Sequence, residues 1–169
     1  MSPPLPSTSG TYAIILGNAA RQTVTVGRLG ELPLRIGYYL YVGSAFGPGG
    51  LRARLAHHLS ISRRPHWHID YLRRVTEPAA IWFQQHSSKE EHRWAQALAR
   101  GRSVENACPD FGASDCACTS HLFFSGGLPE VATFRRRLRA LGVPGGACAR
   151  ALTSETSETT KGVRCSVLV

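Results

Sequence analysis

The sequence predicts one mixed α/β domain of the α+β kind, with a small, mostly antiparallel β-sheet flanked by helices. Three observations predict it. Short β-rich runs fill the N-terminal part of the chain, the apolar period becomes helical at Leu51, and strand-like and helix-like segments then alternate as far as Leu141. A length of 169 residues with 43% hydrophobic and 18% charged residues suits a single packed core and excludes collagen-like, coiled-coil and largely disordered chains.

Residues 1–9 are rich in Pro, Ser and Thr and read as a flexible N-terminal arm, residues 10–142 as the domain, and residues 143–169 as a low-complexity C-terminal tail containing a Ser/Thr/Glu stretch at 153–160. Within the domain, Thr11 to Leu16 is a short apolar, β-rich run. Gly17-Asn18 supplies a turn and Thr23-Val24-Thr25-Val26 alternates, so this region predicts a hairpin. Gly27, Gly30 and Pro33 break the chain before Tyr38 to Val42, a strand rich in aromatics. After the loop Gly47-Pro48-Gly49-Gly50, Leu51, Leu55 and His58-Leu59 recur at helical spacing. Ala79 to Phe83 reads as a strand. Ser87-Ser88 offers a helix N-cap, Glu90 and Glu91 suit a first turn, and Trp94, Ala97 and Leu98 line one face of a helix that stops near Gly101. His121 to Phe124 is strand-like, and Pro129 to Leu141 is a basic amphipathic helix that starts on a permitted proline.

Charge narrows the partners. Twenty Lys and Arg against 11 Asp and Glu give a formal +9, a field that favours polyanions, with nucleic acid ahead of an anionic membrane. Lys89 and Lys161 are the two lysines, so an arginine-heavy composition from a GC-rich genome explains part of this excess equally well. No apolar run approaches the roughly 18 residues of a membrane span, and the first residues lack a signal-peptide pattern, so a cytoplasmic location is expected. The five cysteines, Cys108, Cys116, Cys118, Cys148 and Cys165, are odd in number and irregular in spacing, which argues against a disulfide framework.

The most informative segment is Tyr41-Val42-Gly43-Ser44-Ala45, a Gly-rich loop, and then Leu51-Arg52-Ala53-Arg54-Leu55-Ala56-His57-His58. Arg54 and His58 stand one helical turn apart on one face, so a phenol, a guanidinium and an imidazole can converge. Such groups suit a phosphodiester: arginine forks onto two phosphate oxygens, and a phenol or imidazole takes the proton of an attacking water. The Gly-rich loop lacks the Lys-Ser/Thr ending of a P-loop, and no nucleophile elbow surrounds Ser44.

With Gly10-Thr11-Tyr12 ahead of Tyr41-Val42-Gly43, this ordered set resembles the GIY-YIG nuclease superfamily. The closer resemblance is to its Uri-type branch, a group of uncharacterised domains sometimes joined to endonuclease III-type DNA glycosylases. It rests on Gly37 to Ala45 with Gly47-Pro48-Gly49-Gly50, on His66-Trp67-His68-Ile69-Asp70-Tyr71-Leu72, and on Ser114-Asp115-Cys116 through Cys118 and Ser120-His121-Leu122-Phe123. The resemblance implies a metal-dependent endonuclease, with Tyr12, Tyr41, Arg54 and His58 as catalytic residues. It also implies a single Mg²⁺ or Mn²⁺ ion on a helix glutamate, matched here by Glu91 rather than Glu90, and a repair glycosylase as a partner by association. A first-turn carboxylate also serves simply to complement the helix dipole. Two departures stand out: the connection between the two tripeptide motifs is long, and Ser44 replaces a lysine that several relatives carry.

Ser44, Arg52, Arg63, Arg64, Arg73 and Arg74 are the expected nucleic-acid contacts. With the Arg135-Arg136-Arg137 and Arg139 run, and Trp67, Tyr71 and Phe134 available for base stacking, they would form a salt-sensitive groove with DNA favoured. The same arginines also fit an ordinary solvated face. Cys116-x-Cys118 with His121, and His66-x-His68, suggest transition-metal ligands, but alternate residues of a strand face opposite ways, so zinc is disfavoured. Two functional classes follow: a metal-dependent nuclease, or a non-catalytic nucleic-acid-binding module on the same fold.

Overall fold

The computed structural model describes residues 4–114 and 116–152; Asp115 and the 153–160 stretch of the expected tail lie outside the described residues. Among the described residues, eight strands and four α-helices follow in order: β1 (Gly10–Asn18), β2 (Gln22–Val26), β3 (Gly30–Leu34), β4 (Gly37–Ala45), α1 (Gly50–Leu59), α2 (His68–Leu72), β5 (Glu77–Gln85), α3 (Glu91–Ala99), β6 (Glu105–Asn106), β7 (Leu122–Ser125), α4 (Val131–Ala140) and β8 (Cys148–Ala151). Six of the strands make one antiparallel sheet in the order β6-β7-β4-β1-β5-β8, and β2 and β3 make a small second sheet. The α+β class with a small antiparallel sheet is thus the observed one.

The expected hairpin between the first two strands does not form. Every residue from Gly10 to Leu16 is buried, so β1 takes the centre of the sheet and pairs along its length with the nine-residue strands β4 and β5. β2 alternates between exposed and more buried positions and instead pairs with β3, where Leu32 and Leu34 turn inward. Pro33 lies within β3 opposite Thr23, which a two-stranded ribbon tolerates at an unpaired edge. The Asn18 amide donates to the carbonyls of Ala20 and Arg35 at 2.7 and 2.8 Å, closing the base of this inserted ribbon. β1 and β4 therefore meet directly despite the long connection.

Period-two alternation sends the two faces of β1 to different layers. Tyr12, Ile14 and Leu16 pack with Tyr41 of β4, Leu51 and Leu55 of α1, and Ile69 and Leu72 of α2. Ala13 and Ile15 pack with Leu40 and Val42, Trp94 and Leu98 of α3, and Phe134 and Leu138 of α4. Phe134 stacks on Trp82 with ring centroids 5.0 Å apart and is 1% exposed, so it is a core residue and not a platform for bases.

The described residues on either side of 10–142 pack onto the domain instead of standing apart from it as an arm and a tail. Leu5 packs against the first core layer, while Leu51 and Arg52 donate their amides to the Thr8 and Pro6 carbonyls, so residues 4–9 cover the start of α1. Beyond residue 142, Val143 and Ala147 are buried and β8 pairs with β5, because an exposed β5 edge would leave a row of unmet backbone groups. No helix among the described residues is long and apolar enough to cross a membrane.

Candidate active site

The register of β1 against β4 sets Tyr12 opposite Gly43 and Thr11 opposite Ser44, so the two tripeptide motifs lie side by side. A Cβ on Gly43 would stand 2.4 Å from the Tyr12 hydroxyl oxygen, which explains the glycine: its missing side chain is the space the phenol occupies. Gly112 does the same for Tyr41, whose ring would lie 2.9 Å from a Cβ there, and its φ of +68° is one that glycine adopts without strain. Its amide donates to His68 Nδ1 at 2.9 Å, so neutral His68 carries its proton on Nε2.

These elements enclose a polar cavity of about 410 Å³. Tyr12, Tyr41, Ser44, Arg54 and Glu91 line it, and His66, Trp67, His68, Gly112, Ser114 and His121 are also in the wall. Arg54 comes from the second turn of α1, and its guanidinium carbon lies 4.7 Å from the centre of the Trp67 ring, a cation–π contact. Glu91 opens α3. The Glu90 amide donates to Thr11 Oγ1 at 3.4 Å, which docks this helix start beside β1. Glu90 itself is engaged elsewhere, with Ser88 Oγ 3.0 Å and Arg93 Nε 3.5 Å from its carboxylate. Among the described residues lining the cavity, Glu91 is the one carboxylate.

His58 stands behind the wall, 1% exposed, with its ring 5.9 Å from that of Tyr12 and 6.0 Å from that of Tyr41. Burial lowers its pKa to about 4, with the His57 and Arg54 charges acting in the same direction and Asp70 opposing, so the imidazole is neutral at pH 7. Burial and the neighbouring Tyr41 raise the Tyr12 phenol well above its ordinary value, and Arg54 pulls the other way.

Asp70 was not among the expected catalytic residues, yet its Oδ1 lies 3.6 Å from both His58 Nδ1 and His57 Nε2. That exceeds hydrogen-bond length, so the carboxylate acts on both rings through its charge. Its Oδ2 accepts the amides of His66 and Trp67 at 2.9 and 3.0 Å. Burial raises the Asp70 carboxyl, but those two amides and the two imidazoles outweigh it, leaving the pKa below the ordinary value. Trp67, the residue before α2, and His68, its first residue, also line the cavity, where the sequence suggested a base-stacking ring and a transition-metal ligand.

The expected arginine groove is only partly laid out. Arg73 is 5% exposed and not a surface contact: Nε donates to the His58 carbonyl at 3.1 Å, and the other nitrogens to the carbonyls of Leu59 and Thr76. Its guanidinium is consumed in capping the end of α1. Arg74 is exposed but reaches the Ser62 and Arg63 carbonyls at 3.3 and 3.2 Å. Arg52, Arg63 and Arg64 are exposed, outside the cavity wall. In the helical run, Arg135 donates to the Ala147 carbonyl.

Cys116 lies in a bend and Cys118 in an irregular stretch, both ahead of β7, which begins at Leu122, so strand alternation does not separate them.

A mixed sheet-and-helix domain with a polar cavity at paired β-motifs is what the fold and site define. The chain belongs to the family described as a domain of unknown function, DUF123, whose model matches residues 11–141. No curated protein and no solved structure matches it.

Proposed function

We propose that this chain is a metal-dependent endonuclease of the GIY-YIG superfamily, Uri-type branch, which hydrolyses nucleic-acid phosphodiester bonds, with DNA the favoured substrate in repair or processing. The observation that carries this reading is the gathering of Tyr12, Tyr41, Arg54 and Glu91 around one polar cavity, with neutral His58 behind both phenols.

In this reading Arg54, held against the Trp67 ring, forks onto non-bridging phosphate oxygens and neutralises the charge that grows there. Tyr12 and Tyr41 hydrogen-bond the attacking water and pass its proton inward. Neutral His58 accepts it, and the Asp70 charge stabilises the imidazolium that forms. Trp67 and His66 line the same cavity. A lone carboxylate among hydroxyls fits a hard cation that keeps most of its water, so Glu91 is the residue to hold Mg²⁺ or Mn²⁺. When bound, that ion offsets negative charge on the scissile phosphate.

The test is incubation of the purified chain with labelled single- and double-stranded DNA and RNA in Mg²⁺ or Mn²⁺. Cleavage is expected, falling by about 10²-fold or more in Arg54→Ala and in Glu91→Ala. Cleavage undiminished in both variants removes this site. Salt-sensitive binding without cleavage by the unaltered chain makes it a binding module instead.

A further inference from the structure

His92, the residue after Glu91 on α3, faces a loop that carries Cys116, Cys118 and His121. One ring nitrogen from each histidine and the sulfur of each cysteine all lie within 4.8 Å of one another. His92 Nδ1 is 3.0 Å from Cys118 Sγ, and His121 Nε2 is 3.4 Å from Cys116 Sγ. Zinc bonds of about 2.3 Å to sulfur and 2.0–2.1 Å to nitrogen, set tetrahedrally, require N···S separations of about 3.5 Å. Two contacts thus stand within roughly half an ångström of ligating geometry.

We propose that His92, Cys116, Cys118 and His121 form a tetrahedral zinc site that ties the first turn of α3 to the loop preceding β7. The donor set argues for the metal: two thiolates and two imidazoles are soft to borderline ligands, which favour zinc over Mg²⁺ or Mn²⁺, and two thiolates balance the charge of Zn²⁺. The loop argues for the role. Residues 107–121 contain no helix or strand among the described residues, and Asp110 is a non-glycine residue at a φ of +61°. The Asp110 and His121 amides, donated to Thr119 and Phe111 at 2.8 Å each, fold this loop back so that both cysteines turn toward α3. Binding replaces the two thiol protons with Zn–S bonds and releases them to solvent. The ion then holds His92, the neighbour of Glu91, together with His121, which lines the cavity. The site is separate from the hard-cation ligand Glu91 and does not depend on nuclease activity.

The chain, purified under reductant without chelator, is assayed for bound metal, then stripped and titrated with Co²⁺. One equivalent of zinc per chain is expected, with the intense visible bands of tetrahedral cobalt and a thiolate charge-transfer band. His92→Ala and Cys116→Ser should each weaken zinc affinity by more than about tenfold, since even outer-shell partners of a metal contribute that much. Cys148→Ser, on β8 and outside the cluster, should leave affinity unchanged. A chain that holds no zinc and gives only the pale octahedral cobalt spectrum overturns the proposal. So does zinc retained at full affinity by both ligand variants. Metal content and absorption are read without any nucleic acid, so this result and the cleavage result are distinguishable.

Discussion

Burial holds His58 neutral, and this has a cost in acid. The unfolded chain takes up the His58 proton near its ordinary pKa of 6.5, whereas the folded chain resists until about 4. Stability is therefore full above pH 6.5 and falls as the pH drops toward 4. The fall reaches about 3 kcal/mol, because each pH step of one between those two values costs roughly 1.4 kcal/mol. Urea melts at pH 7.5 and 4.5 are expected to show that fall in the unaltered chain and a shallower one in His58→Gln. An unchanged fall would assign the acid sensitivity to another group. Arg54 and His58 were legible as a pair because four residues on one helix place side chains on the same face. Asp70 was not legible as their partner, since it lies twelve residues beyond His58 on a five-residue helix, and only tertiary packing brings its carboxylate to the imidazole.

At the scale of elements, arginine shows how charge misleads when read without burial. Arg73 and Arg74 are adjacent in sequence, yet the first is 5% exposed and spends its guanidinium on carbonyls at the α1 end. Arg73→Ala removes charge-assisted bonds worth about 1.5–3 kcal/mol each and leaves those carbonyls unmet. A loss of about 3 kcal/mol or more is expected in urea unfolding, with little change in the salt dependence of nucleic-acid binding. A lowered salt slope at unchanged stability would return Arg73 to the interface. The inserted β2–β3 ribbon teaches a related lesson. Its strands were legible, but their partners were not, because a turn signal at Gly17-Asn18 predicts a hairpin only if the first strand has a free edge. The continuous burial of β1 commits both its edges to β4 and β5. The buried stripe of α3 was readable from Trp94, Ala97 and Leu98, but its start was not: the helix begins at Glu91 with Glu90 as N-cap, and the expected Ser87-Ser88 cap lies outside it.

For the whole molecule, the sheet ends on a strand that the composition assigned to a tail. β8 is four residues of unremarkable pattern, and its strand character comes from the β5 edge it covers. A chain ended after Gly142 should lose the buried Val143 and Ala147 and expose that edge, so it should melt lower and associate more than a chain ended after Leu152. Equal melting and equal monodispersity would contradict a structural role for β8. The same long-range order makes the site: Tyr12 from β1, Tyr41 from β4, Arg54 from α1 and Glu91 from α3 meet at one cavity only because the central strands pair in register. The most direct measurement of that claim is the single-turnover cleavage rate of a labelled DNA substrate as Mg²⁺ or Mn²⁺ is titrated. The site predicts a rate that rises and saturates with metal in the unaltered chain and is lost in Glu91→Gln, while Glu90→Gln cleaves normally. Cleavage by Glu91→Gln with the same metal dependence as the unaltered chain would contradict it.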